Sequence, residues 1–304
     1  MTARPLTLLS PRVLIPFVII TLIWSLTWIV IVDQLAVVPP SWSVTYRFAV
    51  SALAMFMLAL LRREHLLLSG RAWGFAALLG TAQFALNFNF VYRAEAHITS
   101  GLVAVLFALL IVPNTLLGRI FLKTPLERRF LIGGAIAVTG VGMMIAHEVN
   151  LAGRGLDAVL AGTALTLAAV LSASTANVMQ GSRLGRAQSM IVLLAWAMLF
   201  GAGVDAVFAW ATVGPPVWDP RPSYLAGVLY LGVIGSAVAF PLYFGIIRDV
   251  GPGPAAWSGV LIPVIAMFVS TLVEGYMWAP LSVVGGVLVI AGLVFAVMRR
   301  GPPG

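Results

Sequence analysis

The chain is cut into ten apolar runs, each about 20 residues long, the length at which a helix crosses roughly 30 Å of hydrocarbon. They lie near residues 13–32, 43–61, 72–93, 99–118, 130–147, 157–179, 188–211, 223–246, 254–273 and 279–298. A segment surrounded by lipid has to satisfy its own backbone, so each run is predicted to be a helix. With 61% hydrophobic and 9% charged residues in 304 positions, there is too little polar surface for a soluble globule of this size. The fold class expected is an all-α integral membrane protein seated in a lipid bilayer.

The charges orient those runs. If the N-terminus is cytoplasmic, every Lys and Arg except Arg47, Arg93, Arg154 and Arg221 falls in or beside an inner connection. Cationic residues held back on the cytoplasmic side fix the orientation of short-looped membrane proteins. An even number of spans is needed to sustain the bias, so both termini are expected inside. The net charge of +8 is thereby an orienting device, and nucleic acid is not an expected partner. The first run is too long for a signal-peptide core and has no small-residue cleavage site, so it is expected to stay as a span. The terminal Gly301-Pro-Pro-Gly304 reads as a tail.

The chain also repeats itself. Gly101 to Pro113 has a counterpart in Gly251 to Pro263 with the same spacing, and Tyr92 is matched by Tyr243. Gly133-Gly134 followed by Gly140 is matched by Gly285-Gly286 followed by Gly292. The polar segment His147–Asp157 separates the copies and divides the chain into residues 1–150 and 151–304. Five spans are an odd number, so two equivalent halves must run in opposite directions. That is the inverted-repeat plan of many secondary transporters, which bind their solute near the midplane between the halves.

Several chemistries lack their parts. There is no cysteine, and His65, His97 and His147 have no ligand spacing, so no metal and no cofactor is expected. No Gly-x-x-x-x-Gly-Lys-Ser/Thr loop is present to hold ATP phosphates. The middles of the runs hold no carboxylate, histidine or cysteine arranged for catalysis, so no enzyme is expected.

Candidate substrate-binding residues follow from polar and aromatic groups placed at depth. Gln83, Asn87 and Phe90 share one helical face of the third run, where an amide must find a partner, a neighbouring helix or a solute path. Trp24 and Trp28, Phe240 and Tyr243, and Trp257 offer surfaces on which a planar solute stacks, or are ordinary interfacial aromatics. Ser172, Ser174, Thr175 and Asn177 make the inner half of the sixth run polar. Ser172 and Asn177 are candidates for the path, while Ser174 and Thr175 are expected to bond their own helix backbone. Arg47, several residues inside the second run, is expected to snorkel, to pair with Asp205 as an outer gate, or to attract a substrate carboxylate. Pro113 and Pro263 each remove a backbone hydrogen bond and serve as hinges or as static kinks.

These features together resemble the drug/metabolite transporter superfamily, in particular the EamA-type exporters built from two five-helix repeats. The resemblance rests on Ile23-Trp24-Ser25, on Pro40 through Tyr46-Arg47-Phe48, on the Pro113 and Pro263 segments, on Glu274, and on the glycines of the fifth and tenth runs. It spans essentially the whole chain and is nearest to bacterial exporters of aromatic amino acids, which implies the bacterial inner membrane. Family members often carry a glutamate before the glycines of the fifth span; here Lys123 stands near that place and Glu127 is displaced onward. Glu274 is therefore expected to be structural, at the outer end of the ninth run.

A polar, nearly uncharged, aromatic-rich path suits neutral or zwitterionic small molecules. The expectation is a secondary or facilitative exporter of such solutes, amino acids including aromatic ones, by alternating access. Export of other drug-like or nucleoside-type metabolites, or a channel-like or structural membrane role, are the alternatives. The sequence leaves the oligomeric state open, a monomer included. Single cysteines placed at Glu95 and Arg300 are expected to label from outside and inside respectively. Labelling of Arg300→Cys from outside, or of Glu95→Cys only from inside, would overturn the topology.

Overall fold

The computed structural model describes residues 10–123, 128–151, 155–250 and 258–297, and every described element is helical. In chain order these are α1 (Pro11–Gln34), α2 (Pro40–Leu61), α3 (Ala72–Glu95), α4 (Ser100–Leu122) and α5 (Arg128–Leu151). There follow α6 (Leu156–Gly181), α7 (Met190–Val213), α8 (Pro222–Ile246), α9 (Ser258–Val273) and α10 (Pro280–Val297). Prolines open α1, α2, α8 and α10, where their missing N–H has no intrahelical partner to lose. Among the described residues seven helices are long and apolar enough to cross a membrane, and the apolar parts of α5, α9 and α10 are shorter.

Side chains are sorted as a bilayer requires. Small residues such as Ala52, Ala59, Ala76, Ala195 and Ala197 fill the interior, while Leu53, Leu60, Leu78, Val207 and Phe268 stand exposed on the perimeter. Lipid is as apolar as leucine, so close approach of backbones through small residues holds the helices together.

Helices α5 and α10 approach closely through glycines on both sides. A Cβ placed on Gly133 would lie 2.4 Å from the carbonyl oxygen of Gly292, and one on Gly292 would lie 2.5 Å from that of Gly133. Gly140 and Gly285 meet in the same reciprocal way, at 2.4 and 2.6 Å. The glycines of α5 thus meet those of α10 in antiparallel order. Other contacts come in similar couples: α1 packs on α8 and α6 on α3, α1 on α9 and α6 on α4, while α2 pairs with α7.

Glu95 closes α3 and is buried, so the exposed Ala96 beside it is the better position for an external label. Replacing Gly140 by alanine should force α5 and α10 apart and cost about 1–3 kcal/mol. Gly142, two residues on and on the opposite face, has no atom within 4 Å of a built Cβ, so Gly142→Ala should leave stability equal or slightly raised. Thermal unfolding of the two variants in detergent checks the contrast.

Candidate functional site

The third helix of each half departs from α geometry. In α3, Thr81–Leu86 form a π-helical turn, and in α8 the turn spans Tyr230–Val238. A π turn leaves carbonyls short of their usual donor, and in lipid a side chain must supply one. The Trp24 indole N–H of α1 donates to the Gly235 carbonyl at 3.2 Å, and the Ser172 hydroxyl of α6 donates to the Ala82 carbonyl at 2.9 Å. Thus the first helix of one half serves the π turn in the other. Ser51 of α2 takes up the Gly232 carbonyl at 2.9 Å, and Ser236 bonds the Leu231 carbonyl within its own turn.

Around α3 a polar row meets an aromatic cluster. Trp24 sits edge-on to Phe240 and Tyr243, with ring centroids 5.6 and 5.1 Å away, and Phe84 meets Phe240 at 5.4 Å. Phe84 neighbours Gln83, which is buried and whose Oε1 has no hydrogen-bond partner. One turn on, the Asn87 Nδ2 donates to the Gln83 carbonyl at 3.2 Å while its Oδ1 is left without a donor. Trp28, half-buried against Phe107 at 5.5 Å, has an unpartnered indole N–H. Phe90 is half-buried against the main core. Unmatched acceptors on α3, an unmatched indole donor on α1 and a cluster of rings are what this part of the bundle offers a solute with a polar head and an apolar body.

Towards the end of α3 that Glu95 closes, the bundle is tied by a polar network. Arg93 donates to the Ser41 hydroxyl at 3.0 Å, Ser41 donates to the Asn89 side-chain Oδ1 at 2.8 Å, and the Asn89 Nδ2 donates to Asp205. Each link polarises the next, so a cation is joined to a buried anion through two neutral groups. The Tyr92 hydroxyl donates to Gln34 at 2.8 Å, and Ser43 shares a hydrogen bond with the Tyr224 hydroxyl at 3.0 Å.

This network corrects the expected pairing of Arg47 with Asp205. Among the described residues Arg47 forms no ion pair; its Nε donates to Ser236 at 3.2 Å and its guanidinium lies 4.3 Å from the Phe88 ring centroid. Nor does it snorkel, being 1% exposed. The reason is the face of α2 that carries it, which packs on the π turn of α8, while Asp205 of α7 meets Asn89. Asn89 and Ser41 were missed in the sequence because Asn89 lies only two residues from Asn87 and so points away from the amide row. Three amides within seven residues was the available signal that α3 has two polar faces.

The remaining candidates are scattered. Asn177 donates to Asn114 at 3.4 Å, linking α6 to α4, and Thr175 bonds its own helix whereas the buried Ser174 hydroxyl has no partner. Pro113 follows a 3-10 turn at Ala108–Leu110, where its missing N–H releases the Leu109 carbonyl, but Pro263 lies within an uninterrupted α9. An apolar cavity of about 250 Å³ lies between Pro113, Val138 and Leu167 and offers nothing to orient a polar solute. Trp257 lies outside the described residues. Glu274 accepts from the Ser100 N–H at 3.2 Å, from the Ser100 hydroxyl, and from Ser270 at 2.6 Å, so it caps the first turn of α4.

The model of the EamA-like transporter family matches residues 12–146 and again residues 160–298. The chain belongs to the EamA-like transporter family. It is a multi-pass membrane transporter. Protein PagO of Salmonella typhimurium is 22% identical over 94% of this EamA-like chain and 93% of its own length. The uncharacterized inner membrane transporter YedA of Escherichia coli is 29% identical over 84% of this chain and 80% of its own. The uncharacterized transporter YoaV of Bacillus subtilis is 20% identical over 95% and 99%. A solved crystal structure shares the fold with a TM-score of 0.68 at 20% identity, covering 93% of this chain and 95% of that one.

Substituting Asn89 by leucine in this EamA-like bundle should strand Asp205 and cost about 1–3 kcal/mol. Adding Asp205→Leu should recover part of the loss. Melting temperatures of the single and double variants in detergent test the coupling.

Proposed function

We propose that this EamA-like protein exports small neutral or zwitterionic organic solutes, amino acids with aromatic side chains among them, across the inner membrane by alternating access. Ten membrane-crossing helices form two inverted repeats, residues 1–150 and 151–304, with both termini cytoplasmic. The reciprocal glycine contacts of α5 and α10 and the two successive family matches support that plan. Transport is secondary or facilitative, since the sequence has no phosphate-binding loop for ATP.

The observations that carry the solute class are the unpartnered amide oxygens of Gln83 and Asn87 on α3 and the cluster of Trp24 and Phe240 rings that α3 joins through Phe84. The amides receive an ammonium or hydroxyl donor, and the rings receive a flat side chain. The network of Arg93, Ser41, Asn89 and Asp205 closes the outer side, and the inner half of α6 with Asn177 borders the inner path.

In proteoliposomes, Gln83→Leu is expected to cut counterflow of the solute strongly while the melting temperature stays near the parent's. A parallel fall in both would mark Gln83 as a helix-packing amide. Phe240→Ala should weaken uptake of phenylalanine more than that of alanine, by a stacking contribution of about 0.5–1.5 kcal/mol. Equal losses for the two solutes would argue against an aromatic-selective site.

A further inference from the structure

Arg47 is the largest fully buried side chain among the described residues, and its charge has no carboxylate partner there. It lies seven residues into α2, about 10 Å from the helix start at 1.5 Å per residue. Its Nε is bound to Ser236, which is itself held by the Leu231 carbonyl, and Phe88 covers the guanidinium face. Its NH1 has no partner. Two acids lie in the vicinity. Asp205 is engaged by Asn89, and Glu95 is close enough to sense the charge of Arg47 but makes no ion pair with it. Removing a guanidinium from water without a counter-anion is strongly unfavourable, and contact with one aromatic face offsets only part of that.

The architecture does not need this cation. Helix α7, which packs on α2 and occupies the matching place in the second half, contains no Lys or Arg. What adjoins Arg47 is the aromatic cluster. A Cβ on Gly235 would stand 3.7 Å from the Arg47 NH2, and the Gly235 carbonyl is the acceptor for the Trp24 indole. The same Cβ would stand 3.1 Å from the Thr27 methyl, so the Gly235 backbone lies between guanidinium and indole with no room for a side chain of its own.

From this juxtaposition we propose that Arg47 is the residue that reads a carboxylate on the transported solute, its free NH1 pairing with one oxygen while Trp24 and Phe240 hold the side chain. The proposal rests on the function proposed above and adds to it that the solute is recognised by its acid group. Gln83 and Asn87 then take the ammonium end, and a solute without a carboxylate leaves the guanidinium unpaired.

The test compares phenylalanine with phenylalaninamide, which keeps the ring and the amine and replaces the carboxylate with a neutral amide. Wild-type proteoliposomes should take up phenylalanine about tenfold or more faster than the amide, as expected for one charge-assisted hydrogen bond. Arg47→Gln should lower phenylalanine uptake roughly 10–100-fold, leave the amide within about twofold, and so erase the preference. Arg47→Lys should restore part of it. Equal loss of both solutes in Arg47→Gln, or a preference that survives it, overturns the assignment, as does a wild type that does not discriminate. That last result leaves the aromatic path itself standing. Should Arg47→Gln fail to fold, the melting temperature of the wild type supplies the second measurement: phenylacetate should raise it and phenylacetamide should not. Stabilisation by phenylacetate without any amino acid transport would sustain the carboxylate site while removing the amino acid reading. Neither transport nor stabilisation overturns both.

Discussion

A carbonyl oxygen released inside a bilayer has no water to turn to, and much of this structure follows from how such oxygens are satisfied. The π turns of α3 and α8 release carbonyls at the centre of the bundle, and donors from other helices take them up: Trp24 for Gly235, Ser172 for Ala82, Ser51 for Gly232. These bonds fix how α1 and α6 cross the opposite halves. They also place the Trp24 ring against Phe240 and Tyr243. The aromatic cluster is therefore a by-product of backbone satisfaction as much as of apolar packing.

The same requirement explains why some polar residues in the bundle are occupied and others are not. Ser172 was a candidate for the solute path, and its hydroxyl instead serves a backbone carbonyl. Gln83 and Asn87 sit in or next to a π turn, yet their side-chain oxygens meet no donor. In a chain so poor in polar atoms, unmatched acceptors in a buried place are expensive, which is why the proposed solute is set against these two.

Much of the fold was legible because lipid imposes simple rules on a sequence. Length and hydropathy locate the helices to within a few residues, and Gly133, Gly140, Gly285 and Gly292 mark a close crossing of two of them. The site was less legible, for a geometric reason. A helical face is visible in the sequence, but which neighbour it meets depends on the rotation of the helix, and one extra residue in a π turn changes that rotation. Asn89 was hidden because two residues from Asn87 turn it off the amide row, and depth alone left Asp205 among the alternatives for Arg47, which meets Ser236 instead. Glu274 succeeded as a structural residue because capping a helix start is a local act, although the helix capped, α4, belongs to the other half.

The bonds between halves also bear on how the chain is made. As the ribosome delivers α1 to α5, the π turn of α3 enters the membrane with the Ala82 carbonyl unserved, because its donor, Ser172, has not yet been synthesised. The first turn of α4 waits longer still, until Glu274 follows α9 into place. Each half holds donors or acceptors that only the other completes, so the stable unit is the whole chain. A ribosome that stops after the fifth helix leaves behind five inserted helices and no finished half.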